Sequence, residues 1–103
     1  MINIERWHTL SLAEQIGNIG SEICRLRKTE ERKDAPATEQ SFYRALDCID
    51  ATISDLRWKW RLKEIVRLRE VLADHVVHAG VYAVPLEQLE RYCTDFAMIA
   101  RSA

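Results

Sequence analysis

The sequence predicts an all-α protein, an antiparallel up-down-up-down four-helix bundle. Three observations predict this fold class. Apolar residues recur at helical spacing in four successive stretches of the 103-residue chain. The chain has only three Gly and two Pro, and no run alternates apolar and polar residues long enough to indicate a strand. The joints between stretches are short, which favours antiparallel neighbours, so we expect one domain over residues 1–103 with a single core.

The first helix is predicted over about residues 11–30, after a lead-in in which Trp7 and Leu10 pack onto the bundle. Ser11 and Glu14 have the spacing of a capping box, in which each side chain bonds the other residue's amide. The apolar seam follows steps of three and four residues: Leu12, Ile16, Ile19, Ile23 and Leu26. Such a seam is typical of antiparallel helix packing.

Small residues form a second stripe on this helix: Ala13, Gly17, Gly20 and Cys24. Glycine costs roughly 1 kcal/mol relative to alanine inside a helix. Two glycines on one stripe therefore indicate that another helix approaches closely there. A docking groove for a partner helix is the alternative interpretation.

The second helix is predicted over about residues 38–55, with Thr38 as its N-cap. Its apolar face contains Phe42, Ala45, Leu46, Ile49, Thr52, Ile53 and Leu56. The fourth helix is predicted over about residues 85–101, with Pro85 in the first turn, where its missing N–H is tolerated. Its apolar face contains Leu86, Leu89, Cys93, Phe96 and Ala100.

The third helix, predicted over about residues 57–79, is the longest helical pattern in the chain. Its apolar positions are Trp58, Leu62, Ile65, Leu72, Val76 and Ala79. Gly80 suits the position after a helix, because glycine enters the left-handed region without steric cost. A 3-10 turn or a kink is expected between Leu56 and Trp58.

Arg69 occupies a position of the third helix where the spacing calls for an apolar residue. Burying an unpaired guanidinium is very costly, so Arg69 needs a carboxylate partner or must extend to solvent. We predict a buried ion pair between Arg69 and Asp50 of the second helix. The alternative partners are Glu14, Glu22 and Asp47.

The opposite face of the third helix combines aromatic and basic residues. Residues 57–70 hold six basic and two acidic side chains in a chain with a net charge of −1. The predicted partner-binding or nucleic-acid-binding residues are Arg57, Lys59, Trp60, Arg61, Lys63, Arg67, Val71 and His78. Such a face can hold a nucleic-acid backbone and stack on bases. The simpler interpretation is that the charges are solvated and Trp60 is an oligomer contact.

Two weaker patterns on the third helix involve histidine. His75 and His78 lie one turn apart beside Asp74, and adding Cys93 or His8 makes a zinc site conceivable, but the spacing is unspecific and we expect no metal. Arg69 followed by His75 resembles the catalytic pair of HEPN ribonucleases, which are also small α-bundles. That resemblance implies RNA cleavage by Arg69 and His75 across a dimer interface.

The remaining features of the sequence argue for a cytoplasmic protein without a cofactor. No apolar run approaches the roughly 18 residues that span a membrane, and the start of the chain lacks a signal-peptide pattern. The three Cys are an odd number at non-motif spacings, as expected for unpaired thiols in a reducing compartment. We find no phosphate-binding loop, paired-carboxylate motif or nucleophile signature, so we expect neither an enzyme nor a small-molecule substrate.

Two segments carry a family resemblance: SLAEQIGNIGSEICR and FYRALDCIDATISDLRWKWRLKEIVRLREVLAD. They resemble a prokaryotic family of small helical proteins. In size and expected architecture the chain is also similar to the four-helix proteins encoded in 23S rRNA intervening sequences and to the accessory variability (Avd) proteins of diversity-generating retroelements. This second resemblance is one of fold alone. It implies ring-like homo-oligomers and contact with a reverse transcriptase and its RNA.

The sequence therefore predicts a non-catalytic accessory or adaptor protein that binds protein or RNA, as a homo-oligomer. The alternative is a HEPN-like helical ribonuclease that uses Arg69 and His75.

Overall fold

The structure is a computed structural model that describes residues 2–77, 80 and 83–102. The helices in chain order are α1 Ile4–Trp7, α2 Leu12–Glu31, α3 Ala35–Ile53, a 3-10 helix Leu56–Arg61, α4 Leu62–Val77 and α5 Leu86–Ser102. No strand occurs among the described residues, which confirms the all-α prediction for this part of the chain. None of the described helices combines the length and the apolar character needed to cross a membrane.

The central helix is α2, because both α3 and α5 pack along it. Its N-terminus has the predicted capping box: Ser11 Oγ accepts from the Glu14 amide at 3.1 Å, and Glu14 Oε1 accepts from the Ser11 amide at 2.9 Å. The predicted seam of α2 is buried over its whole length. The core therefore lies along one face of α2, against α3 and α5.

Another helix approaches the stripe of small residues on α2 closely at only one of its two glycines. A Cβ built on Gly20 would lie 3.1 Å from Cys93 Cβ on α5, whereas one built on Gly17 meets no atom within 4 Å. An ion pair between Arg27 and Glu90 joins the same two helices and lowers the pKa of Glu90. Close packing is therefore correct for Gly20, and Gly17 lies on the exposed side of the helix.

The predicted start of α3 at Thr38 is wrong. The helix begins at Ala35, and the Asp34 carboxylate caps it by accepting from the Ala37 amide at 3.2 Å. Pro36 stands in the first turn, where its fixed φ favours the helix and its missing N–H is not needed. Asp34, two residues before Pro36, is therefore the N-cap of this helix in place of Thr38.

The predicted helix over residues 57–79 is broken near its start. Trp58, with φ −104° and ψ 22°, is a kink inside the 3-10 helix, which confirms the expected 3-10 turn or kink near Trp58, and α4 begins only at Leu62. The Asp55 carboxylate caps the 3-10 helix by accepting from the Arg57 amide at 3.1 Å. The indole Nε1 of Trp58 donates to Gln15 Oε1 at 3.0 Å, so a contact with α2 holds the kink, and Trp58 is only partly buried. The predicted last two residues of this helix lie outside the described part of the chain.

A buried polar network lies at this end of the core, where α1, the start of α2, the end of α3 and the 3-10 helix meet. Gln15 is fully buried, and its Nε2 donates to the Trp7 carbonyl at 2.9 Å and to Asp55 Oδ2 at 3.0 Å. Trp7 is buried as predicted, and its Nε1 donates to Thr52 Oγ1 at 3.0 Å. The network fixes α1 and the 3-10 helix against α2 and α3. It thereby positions the exposed side of the 3-10 helix.

Candidate functional site

The 3-10 helix presents two large apolar side chains to solvent. Trp60 is 71% exposed and Leu56 is 77% exposed. Lys59 and Lys63 are exposed on either side of Trp60 in the sequence. Single exposed apolar residues are common on protein surfaces, so exposure alone does not distinguish Trp60. What distinguishes it is how its ring is held.

The ring of Trp60 rests on the guanidinium of Arg61. Arg61 Cζ lies 5.1 Å from the centroid of the Trp60 ring and 4.2 Å from that of Phe96 on α5. Its Nε and Nη2 donate to the two carboxylate oxygens of Glu64, at 3.0 and 3.2 Å, and the side chain is only 14% exposed. A guanidinium over an aromatic face is attractive, more so when it is shielded from water. Trp60 is therefore an exposed aromatic residue whose ring packs on a largely buried, hydrogen-bonded guanidinium.

A narrow apolar groove lies between α4 and α5. It arises because α4 packs mainly against α3, and α5 packs mainly against α2. The groove has a volume of about 230 Å³. Its lining residues are Arg67, Leu68, Val71, Val84, Gln88, Leu89 and Tyr92. Clefts that bind small organic ligands usually have roughly 300–1,000 Å³, so this groove suits one or two protein side chains better than a metabolite.

Tyr92 connects the groove with the Trp60 side. Its ring packs edge-on against Phe96, with centroids 6.0 Å apart, and its hydroxyl donates to Glu64 Oε2 at 3.5 Å. Burial raises the pKa of the Tyr92 hydroxyl, and the Glu64 carboxylate raises it further, so the hydroxyl stays protonated. Contacts thus run without a break from Trp60 through Arg61 and Glu64 to the wall of the groove. We call this side of the molecule, formed by the 3-10 helix, α4 and α5, the Trp60 strip.

The arginines of the predicted binding face form ion pairs with carboxylates of the same chain. Arg57 Nη2 donates to Asp55 Oδ2 at 2.6 Å and to the Leu10 carbonyl at 2.7 Å, and its guanidinium lies over the Trp58 ring. Arg61 is held by Glu64, as described above. Arg67 is 66% exposed and lies 3.8 Å from Glu70. The local positive charge is therefore largely matched by neighbouring carboxylates.

One of the predicted surface residues is buried, and another lies outside the described residues. Val71 was expected on the outer face, but it is 9% exposed and forms part of the groove wall. The buried face of α4 is wider than its apolar stripe, because α4 covers α3 on one edge and borders the groove on the other. Val71 is therefore not an exposed contact residue. His78 lies outside the described residues.

Arg69 contacts Asp50, but the pair is not buried. Arg69 Nε lies 2.6 Å from Asp50 Oδ1, and the two side chains are 41% and 50% exposed. The prediction of a buried pair is wrong because the buried face of α4 is centred on Ile65, Leu68 and Leu72, which puts Arg69 at its rim.

Replacing Asp50 with Ala should therefore change the free energy of unfolding by at most about 1 kcal/mol, since exposed ion pairs gain little and are screened by salt. Urea unfolding at low and at high salt measures this change. A loss of several kcal/mol that persists at high salt would show that the pair is shielded from water.

His75 and Arg69, the two residues of the ribonuclease pattern, each contact a carboxylate on another helix. His75 Nε2 lies 3.1 Å from a carboxylate oxygen of Glu30 on α2, whereas Arg69 is directed to Asp50 on α3. The two residues of the ribonuclease pattern therefore contact different helices. Within the described residues, no three His, Cys, Asp or Glu side chains cluster as metal ligands. Burial raises the pKa of the Cys48 thiol to about 11 and that of Cys93 to about 12, so both are thiols at neutral pH.

Sequence reasoning missed the α5 side of the strip. The prediction that Phe96 lies in the core is correct, but the packing of Arg61 on the Phe96 ring was not predicted. A usable signal was Tyr92, four residues before Phe96 on the same side of the helix and 40% exposed. Comparison of the chain with protein-family models, curated proteins and solved structures finds no match.

Proposed function

We propose that this protein is a non-catalytic adaptor that works by binding another protein through the Trp60 strip. The observation that carries the proposal is the Trp60 ring, which is 71% exposed yet packs on the guanidinium of Arg61, itself in contact with Phe96 and Glu64. Tryptophan and arginine are enriched among the residues that dominate binding energy at protein interfaces. An aromatic anchor that is already ordered loses little conformational entropy when it is buried by a partner.

The charges favour a protein partner over a nucleic acid. Nucleic-acid affinity depends on cationic groups that replace the counterions of the phosphate backbone. Arg57, Arg61 and Arg67 each lie within 4 Å of a carboxylate of this chain, which leaves Lys59 and Lys63 as the exposed cations that flank Trp60 in sequence. Two such lysines are few for a phosphate-binding surface.

The proposed scaffold is an up-down-up-down bundle of α2, α3, α4 and α5 that acts in the cytoplasm as a homo-oligomer. The packing of α2 against α3 and α5, and of α4 against α3, supports the bundle. The unpaired thiols Cys24, Cys48 and Cys93 support a reducing compartment. The strip itself supports association, because it leaves large apolar side chains uncovered.

A photo-crosslinking amino acid at position 63 tests the proposed function. Lys63 is exposed and lies close to Trp60 in sequence, so irradiation in cells should yield crosslinks to protein. The crosslinks should be lost when the crosslinking protein also carries Trp60→Ala, while circular dichroism remains unchanged. A crosslinker at Arg25, which is 62% exposed on α2, is the matched control and should yield none that depend on Trp60.

Two results would overturn the proposal. One is crosslinking at position 63 that persists unchanged in Trp60→Ala. The other is crosslinking to RNA instead of protein, with RNA binding lost in Lys59→Ala and Lys63→Ala, which would make the strip a nucleic-acid surface.

A further inference from the structure

The Trp60 strip contains both a protruding side chain and a recess. Trp60 protrudes at one end, and the groove of about 230 Å³ lies between α4 and α5 further along. Arg61, Glu64 and Tyr92 connect the two. A surface with a knob and a hole side by side is complementary to itself when two copies are placed antiparallel.

We infer that the partner bound by this strip is a second copy of the chain, in a twofold dimer in which Trp60 of each protomer occupies the α4–α5 groove of the other. The inference rests on the proposed function and names its partner. The groove matches this occupant in size, since it is smaller than the usual cleft for a small organic ligand. Aromatic side chains bury roughly 150–250 Å² each, so two reciprocal insertions supply the centre of an interface.

The groove also matches the chemistry of an indole. Apolar side chains form most of its wall: Leu68, Val71, Val84 and Leu89. Gln88 and Tyr92 stand at the α5 rim, where the amide oxygen of Gln88 can accept a hydrogen bond from the indole N–H. An amphipathic ring such as that of Trp usually needs both surroundings when it is buried.

The charges around the knob and the hole are complementary. Lys59 and Lys63 flank Trp60 in sequence. A second depression along α5 shares Gln88 and Tyr92 with the groove. The charged residues that line it are Glu87, Arg91 and Asp95. The groove itself is lined by Arg67, which lies 3.8 Å from Glu70. Insertion of Trp60 would therefore bring two lysines of one protomer towards a surface of the other with three carboxylates and two guanidiniums, whose net charge is opposite to that of the lysines.

One knob and one groove on the same side of each copy are compatible with twofold symmetry. Reciprocal insertion uses both at once and leaves neither open. Insertion in one direction only would instead place the knob and the groove of each copy on two different neighbours, which builds larger rings or open chains. The twofold dimer is the smallest closed arrangement that occupies every knob and every groove.

Sedimentation equilibrium of the purified full chain tests the inference. The wild type should sediment as a reversible monomer–dimer system. Trp60→Ala should weaken dimerisation at least about 30-fold, the equivalent of losing an interface residue worth about 2 kcal/mol. Tyr43→Ala is the matched control, since Tyr43 is 55% exposed on α3 and lines neither the groove nor the depression beside it, and it should leave the dimer unchanged.

A second variant closes the groove instead of removing the knob. Gln88 is exposed on α5, so Gln88→Trp should fill the groove while the core remains intact, and should also weaken dimerisation at least about 30-fold. A mixture of Trp60→Ala and Gln88→Trp should then dimerise better than either variant alone. In the mixed dimer, the intact Trp60 of one protomer enters the open groove of the other, whereas neither variant can make this contact with itself.

Three results would overturn the inference: a wild type that stays monomeric at every concentration measured, assemblies larger than a dimer, whether closed rings or open chains, or a mixture no better than its components. A monomeric chain that still yields crosslinks to another protein dependent on Trp60 would refute the self-pairing and leave the proposed function standing. Loss of both refutes the strip as a binding surface.

Discussion

Replacing Asp55 with Ala is expected to lower the free energy of unfolding by about 2–4 kcal/mol, the sum of a lost helix cap and an unpaired buried donor. Asp55 has a side chain that is 4% exposed. It accepts from Gln15 Nε2 at 3.0 Å and from the Arg57 amide at 3.1 Å. Without it, one N–H of a fully buried amide loses its acceptor, and the 3-10 helix loses its cap. Urea unfolding followed by circular dichroism measures the change.

The control for this prediction is Asp50→Ala, which removes an exposed carboxylate paired with an arginine. Its expected effect of at most about 1 kcal/mol separates the cost of burial from the cost of losing an ion pair. Equal effects for the two variants would show that Asp55 does not hold the network together.

The Asp55 contribution should also depend on pH in a defined direction. Hydrogen bonds from Arg57 lower the pKa of Asp55, helped by Gln15 and opposed by burial. Because the folded pKa is lower than the ordinary 3.8, the stabilisation is complete above that value and decreases as the pH falls below it. The difference in stability between wild type and Asp55→Ala should therefore shrink in acid. Glu14 and Glu90 also have lowered pKa values, and taking the difference removes their contribution.

Replacing Gly20 with Leu is expected to destabilise the protein by roughly 1–3 kcal/mol or more, because the new side chain has no room. Even a Cβ at this position would lie 3.1 Å from Cys93 Cβ, and Cys93 is fully buried on α5. The two helices must separate to admit the larger group, and the core seam between them separates too. The midpoint of thermal unfolding should fall accordingly.

Gly17→Ala is the matched control on the same stripe of α2. A Cβ at Gly17 meets no atom within 4 Å, so alanine gains helix propensity without a clash. We expect it to stabilise the protein by roughly 0.5–1 kcal/mol. If Gly20→Leu were tolerated as well as Gly17→Ala, the close approach of α2 and α5 would be incorrect.

Local signals determined which parts of the fold could be read from the sequence. The capping box at Ser11 and the seam of α2 depend on neighbours within one turn, and the structure has both. Asp34 was missed because two cap signals compete before α3, and only the helix itself shows that the earlier one, reinforced by Pro36, prevails. The spacing of apolar residues indicates which face of a helix is buried. The width of the buried face depends on the neighbouring helices. For this reason Val71 and Arg69 were misplaced in opposite directions.

The candidate site also has features that the sequence predicts and features that depend on how the helices pack. The sequence by itself determined an all-α chain, an outward Trp60 and an inward Trp58, because residues two apart point to opposite sides of a helix. Only the tertiary structure decided that Arg61 lies between Trp60 and Phe96, and that α4 and α5 leave a groove beside them. Arg61 and Phe96 are far apart in the sequence, and no local pattern encodes a contact of that kind. Helical period is a property of the chain, whereas the fixed Trp60 and its groove are properties of how the helices pack.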